Sequence, residues 1–401
     1  MSSIMTTGEA AAAPSTRLRS DALMEAARSV TGLHDFGDGD FRTGLDLLLE
    51  EAQGSGLNAT GVEALQGMAL GALINRLRFH EDLRRHPEIL DEQIEPPFVI
   101  VGLPRSGTTK LHRMVAVDPR LQSLCAWQIM NPAPFPGGVD AGGCDPRIAA
   151  ARQVDEMLHA MCPDLLAGHP MQAEEVDEES SFLMEMTFDW ILTAMRWDTP
   201  RYQAWVESRS PLPVYRHLRR MLQYLQWQNP ERRGRPYVLK SPVHPPYLDV
   251  LLDVFPGATV VHMHREPRES VASFMRLAEL PRRLHYDDID LRALGSWVLE
   301  LLGSQTRRNL SLRDAIGARA TIVDLAFRDV VSSPLDAIGQ AYAARGWMLP
   351  QEVGATMLDW ERRHPADRFG KFRYDLRDYG VAPGQIDEVF AEYRQRFGHL
   401  L

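Results

Sequence analysis

The chain has 401 residues, 44% of them hydrophobic, enough to build one large α/β domain or two. Its formal net charge of −10 argues against a general binder of nucleic acid or anionic membranes, and an anionic substrate would need locally concentrated Arg and Lys. Three cysteines, Cys125, Cys144 and Cys162, are too few and too unevenly spaced for a disulfide framework or a four-ligand zinc site, so a reducing compartment is the simpler expectation.

Residues 1–18 are small and polar, without a basic start followed by an apolar core, and predict a disordered tail rather than a secretory signal. No apolar run approaches the ~18 residues of a spanning helix, so a cytoplasmic protein is expected. Residues 19–95 form a helical preface. Helices are predicted over Ala22–Val30, Phe41–Ala52 and Gly61–Arg85, the last with Leu65, Met68, Leu73 and Leu77 on one stripe and Pro87 closing it. This preface carries no chemical motif; packing on the core is its expected role, and a homo-oligomer is left open.

The next stretch, Phe98 to His112, reads as strand, tight loop and helix. Four apolar residues follow Pro96 and Pro97, the run breaks at Gly102 and Pro104, and Leu111, Met114 and Val115 then recur at helical spacing. Such a junction aims backbone N–H groups and the positive helix end at one point, where an anion can bind. Gly102 and Gly107 have the spacing of the nucleotide P-loop G-x-x-x-x-G-K-[ST], but Thr108 stands where the lysine belongs. Arg105 lies inside the loop instead, and its planar fork suits phosphate or sulfate oxygens.

Residues from about 140 to 230 predict several helices holding Met157, Met161, Met171, Met184, Met186, Met195 and Met221, with Trp190, Trp197, Trp205 and Trp227. Such soft side chains suit an apolar acceptor pocket, and equally a Met-rich core. Strands and helices then alternate. Strands are predicted at Pro236–Leu239, Ala258–Met263 and Ala320–Leu325, with helices over Pro246–Val254, Pro267–Leu280 and Asp288–Leu312. That alternation implies an α/β fold with a mostly parallel central sheet. Because the first strand precedes the others by so much chain, residues 140–230 are expected to be an insertion into one domain spanning residues 96–401.

Ligands of open α/β sheets bind at the carboxyl ends of strands. Lys240 follows the second predicted strand and would meet the same anion as Arg105. Arg265 follows the third, with Ser270 and Ser273 on adjacent turns of the next helix, so an Arg and a hydroxyl could clamp a second phosphate. A late group, Arg368, Lys371 and Arg373, sits among Phe369, Phe372 and Tyr374; it could be a solvated loop or could reach the same phosphate while an aromatic stacks on a base.

Taken together, Pro104-Arg-Ser-Gly-Thr-Thr109 and Arg265-Glu-Pro267 followed by Ser273 resemble the 5'-phosphosulfate and 3'-phosphate motifs of sulfotransferases that use 3'-phosphoadenosine 5'-phosphosulfate (PAPS). Leu239-Lys-Ser-Pro-Val-His244, Phe255-Pro-Gly-Ala258 before His264, Phe327-Arg-Asp-Val330 before Ser333 and Pro334, and Tyr374-Asp-Leu-Arg-Asp-Tyr-Gly380 add to it. The set is similar to a bacterial-type family related to tyrosylprotein sulfotransferases, and covers roughly residues 95–385. The resemblance implies a P-loop-like three-layer fold and transfer of a sulfuryl group from PAPS, without a metal, to a hydroxyl or, secondarily, an amine of a partly apolar small-molecule or lipid-like acceptor. It further implies that Arg105, Ser106, Gly107, Thr108 and Thr109 hold the 5'-phosphosulfate, that Arg265 and Ser273 hold the 3'-phosphate with Lys371 or Arg373, and that Lys240 stabilises the leaving oxygen. Neither nucleic acid nor an integral membrane is an expected partner.

A hydroxyl acceptor also needs a base within ~3 Å. Family members commonly carry a glutamate after the tryptophan that here is Trp127, but Gln128 occupies that place. Three groups remain as expected bases: Glu174 and Glu175 in the acidic run 174–179, and His244. That run also fits the negative first turn of a helix. Two other functions stay open from the sequence: a P-loop kinase, against which Thr108 stands, and a non-catalytic nucleotide binder, which Gln128 would suit.

Overall fold

Phe98–Gly102 (β1) forms the predicted strand and is buried along its whole length. The computed structural model describes residues 18–139, 142–365, 368–369 and 372–401. In it β1 pairs in parallel with Val238–Lys240 (β2) on one side and Thr259–His264 (β3) on the other, and Thr321–Ala326 (β4) adds to β3. The order is β2-β1-β3-β4, all parallel, with β1 and β3 central.

Alternation along β1 divides the molecule into layers. Val99 and Val101 enter a large apolar cluster shared with the N-terminal helices and the helical middle, whereas Phe98 and Ile100 enter a second cluster with Leu111, Met114, Ile338 and Met357. The sheet is therefore covered on both faces, giving the three-layer α/β arrangement.

Helices α1 (Ser20–Thr31), α2 (Phe41–Gly54) and α3 (Ala59–Arg85) appear where the apolar stripes predict them. Asn58 caps α3 by accepting from Gly61 N–H at 2.8 Å, and its amide donates to Leu284 O at 3.1 Å, tying α3 to the helix Pro267–His285. Buried Arg76 donates to Phe36 O at 2.9 Å and Met186 O at 3.1 Å, fastening α3 to the middle of the chain. The expected tail lies outside the described residues apart from Leu18, whose N–H reaches Gln53 Oε1 at 2.5 Å.

The Met- and Trp-rich middle mostly fills the larger core: Met184, Met186, Trp190, Met195, Trp197 and Met221 are all buried there. Met157 and Met161 instead face outward from the helix Pro146–Met161. The acidic run opens no helix. Residues 174–179 are irregular, and Val176 makes an antiparallel bridge to Cys125.

Candidate functional site

Three neighbouring strands each deliver a basic residue to the same edge of the sheet. Arg105 lies in the loop after β1, Lys240 ends β2, and Arg265 follows β3. A parallel sheet places all three at its carboxyl edge.

The loop needs its glycines. Gly102 has φ +154°, and a Cβ there would sit 2.6 Å from the carbonyl oxygen of Met263 on β3. Gly107, at φ +85°, would set a Cβ 2.7 Å from the Phe327 ring. Between them Arg105 takes φ 68°, a strained conformation for a side-chain-bearing residue, and Ser106 N–H closes the turn on Leu103 O at 3.2 Å. The helix α4 (Thr108–Val115) then begins, with Leu111, Met114 and Val115 buried as the pattern predicts. The hydroxyls of Ser106 and Ser270 are buried without a partner among the described residues.

The two anion motifs meet. Arg105 Nε donates to Ser273 Oγ at 3.1 Å, and Arg265 Nη1 donates to the Arg105 carbonyl at 2.7 Å. Arg105 also donates to Gly168 O. Arg265 is held from behind by Glu269, at 2.9 and 2.7 Å, and its guanidinium carbon lies 4.2 Å from the Phe327 ring centre. Burial, followed by the facing charge of Arg265, pushes the Arg105 guanidinium below its ordinary value. Two like charges held side by side favour an anion near them.

Lys240 is buried, and its Nζ is paired with Glu178 and lies 3.3 Å from Thr109 Oγ1. Its backbone N–H donates to Glu179 Oε2 at 2.9 Å, while Glu179 Oε1 lies 2.8 Å from His244 Nε2. His244 Nδ1 in turn lies 2.8 Å from the Tyr215 hydroxyl, which burial raises well above its ordinary value. The Glu179 carboxylate only accepts, so Nε2–H donates to it, and in that neutral tautomer Nδ1 accepts from the Tyr215 hydroxyl. Ser180 Oγ donates to Ser241 Oγ at 2.7 Å. Nearby, His169 Nε2 stands 3.7 Å from the buried Asp177 carboxylate. Burial raises Asp177, but His169, Lys240 and Arg113 more than offset it and hold the group well below the usual carboxylate range.

The expected bases Glu174 and Glu175 lie apart from this cluster. Glu174 pairs with Arg152 at 2.6 Å, with both side chains more than half exposed. Glu175 stands 3.8 Å from Arg113 and 3.5 Å from His364. Glu174 and Glu175 line a cavity of about 400 Å³ with Asp155, His159 and Arg368. His244 is fully buried behind Glu179. Gln128 accepts from Cys125 N–H at 3.0 Å and so caps its own short helix. Lys371 lies outside the described residues; Arg373 is exposed, and Phe372 packs 5.5 Å from the Arg105 guanidinium.

Sequence reasoning missed Glu178, Glu179 and Tyr215. The available signal was Lys240 itself, since a lysine at the end of a buried strand needs a carboxylate partner.

Residues 96–351 match the model of the sulfotransferase family. The omega-hydroxy-beta-dihydromenaquinone-9 sulfotransferase Stf3 of Mycobacterium tuberculosis is 24% identical over 330 residues, 76% of each chain. The crystal structure of sulfotransferase STF9 from Mycobacterium avium matches with a TM-score of 0.83 and 27% identity, covering 96% of this chain and 98% of that one. For sulfotransferase STF1 from Mycobacterium tuberculosis the TM-score is 0.80 at 28% identity, with 94% and 99% covered. The structural likeness thus extends beyond the segment that the family model spans. With more than half of its length matched by the family model, and with P-R-S-G-T-T opening α4, the chain belongs to the sulfotransferase family.

Proposed function

We propose that this sulfotransferase moves the sulfuryl group of PAPS to the hydroxyl of a partly apolar, lipid-like acceptor and releases adenosine 3',5'-bisphosphate. The sulfate donor follows from the family. The observation that carries the site assignment is the contact of its two halves, the 3.1 Å bond from Arg105 Nε to Ser273 Oγ across 168 residues of sequence.

The residues present suit a ligand with two separate anionic groups. The hydroxyls of Ser106 and Ser270, without a partner among the described residues, and the facing guanidiniums of Arg105 and Arg265 support that fit. In this reading the backbone and side chains of Arg105 to Thr109 hold the 5'-phosphosulfate. Arg265 and Ser273 hold the 3'-phosphate, and Arg373 or Lys371 is a further cation for it. When bound, PAPS supplies a sulfuryl group on a phosphate leaving group. Lys240 is placed against Thr109 to neutralise charge gathering on the leaving oxygen, a contact that strengthens as the bond breaks. Glu179, His244 and Tyr215 fix the end of β2 and with it the lysine.

The name of the relative Stf3 supports an acceptor with a long apolar body and a terminal hydroxyl. On the same reading residues 96–401 are the catalytic unit, residues 140–230 shape the acceptor side, and residues 19–95 are an extension packed on it. Incubation with sulfur-labelled PAPS and a panel of apolar alcohols tests the proposal; transfer of label to a hydroxyl acceptor is expected. Failure of adenosine 3',5'-bisphosphate to bind in a calorimetric titration would overturn it.

A further inference from the structure

We infer that Glu178 is the group that takes the acceptor's proton, and that Lys240 is shared between Glu178 and the donor; this rests on the sulfotransferase reading above. The run 174–179 offers five carboxylates, and the structure disposes of four. Glu174 faces solvent with Arg152, and Glu175 lies between Arg113 and His364. Asp177 accepts the N–H of Glu178 at 2.7 Å and faces His169. Glu179 has one oxygen on Lys240 N–H and the other on His244, and its side chain is 1% exposed.

Glu178 differs on both counts. Its side chain keeps 11% of its surface, and its Oε1 is paired with the same Lys240 Nζ that reaches Thr109 in the phosphosulfate loop. One ammonium therefore touches the donor side and the carboxylate together. Anionic oxygens arriving on the loop compete with Glu178 for that ammonium and release the carboxylate beside the reacting group. In the step itself the acceptor oxygen forms a bond to sulfur while its proton passes to Glu178. The bond from sulfur to the 5'-phosphate oxygen breaks, and its electron pair stays on adenosine 3',5'-bisphosphate.

The test uses the full chain with Glu178→Gln and Glu178→Asp, two acceptors and one titration. Farnesol, an apolar primary alcohol, must lose a proton; p-nitrophenol is largely ionised at mildly alkaline pH. In Glu178→Gln, transfer from PAPS to farnesol should fall about 10²- to 10⁴-fold, and transfer to p-nitrophenol by less than about tenfold. Glu178→Asp, which keeps a carboxylate, should recover part of the farnesol rate. Because Lys240 loses its competing partner, adenosine 3',5'-bisphosphate should bind Glu178→Gln about three- to tenfold more tightly, opposite to the effect of a damaged fold. Farnesol turnover within about threefold of wild type, or equal losses on both acceptors, would overturn the assignment of Glu178. A wild-type protein that does not bind the nucleotide would instead remove the sulfotransferase reading beneath it.

Discussion

Arg265→Ala should weaken binding of adenosine 3',5'-bisphosphate far more than binding of adenosine 5'-phosphate, which lacks the second phosphate. Within the protein, Arg265 makes two bonds to Glu269, whose side chain is 54% exposed, and one to the Arg105 carbonyl at 2.7 Å. Exposed ion pairs are worth at most about 1 kcal/mol, so the substitution should leave the fold intact. A charge-assisted hydrogen bond to phosphate is worth about 1.5–3 kcal/mol, which corresponds to roughly 10- to 150-fold in Kd. For the monophosphate that contact does not exist, and only the lost support of the Arg105 carbonyl should register, at about threefold or less. Calorimetric titration of both nucleotides on both proteins, with thermal unfolding as a control, gives the four constants needed. An equal loss for the two nucleotides would mean that Arg265 merely braces the loop, and no loss would remove it from the site.

Gly107→Ala forces a side chain into φ +85° and a 2.7 Å approach to the Phe327 ring; unfolding stability should fall by about 2–4 kcal/mol, and an unchanged urea midpoint would refute the steric account. Tyr215→Phe removes the hydroxyl from His244 Nδ1 and leaves that buried nitrogen unpartnered, at a cost of about 1–3 kcal/mol measured by urea unfolding; neutrality would show the chain of contacts to be incidental. Acidification should destabilise the fold well before carboxylates titrate. Burial, aided by Lys240 at His112 and by Arg76 at His217, pushes both imidazoles down to about 3. Below their unfolded value of about 6.5 the unfolded chain binds the extra protons, so stability is complete above that pH and is lost as pH falls toward the folded values. Each histidine contributes up to about 1.4 kcal/mol per pH unit in that window, and equal stability at pH 7 and pH 5.5 would contradict the sign.

The sheet and its basic edge were legible because both are local patterns. Pro96 and Pro97 followed by four apolar residues marks β1, and Gly102 with Gly107 marks a loop whose backbone must approach other groups closely. Arg105, Lys240 and Arg265 could each be placed at a strand end without knowing the strand order. The proton-accepting side was not legible for the opposite reason. Glu178 acquires its significance from Lys240, 62 residues away, through an irregular segment with no periodicity to follow. An acidic run suggests a helix start, yet these residues are an irregular segment tied by the bridge between Cys125 and Val176. Gln128 looked like a missing catalytic group, whereas its side chain caps a five-residue helix. The soft residues of the middle fitted a pocket and a Met-rich core equally, and most of them are core shared with α1 to α3.

The strand order also sets a timetable for synthesis. β1 is among the first strands made and lies between β2 and β3, both more than 130 residues downstream. At about 5–20 residues per second, a ribosome takes on the order of ten seconds or more to add that length. Throughout that interval Phe98 to Val101 is an apolar strand with both edges unpaired, the kind of segment that recruits other chains. The helices encoded between β1 and β2 can form meanwhile from local contacts, so the long insertion gives the nascent chain material to shelter β1 before its neighbours exist.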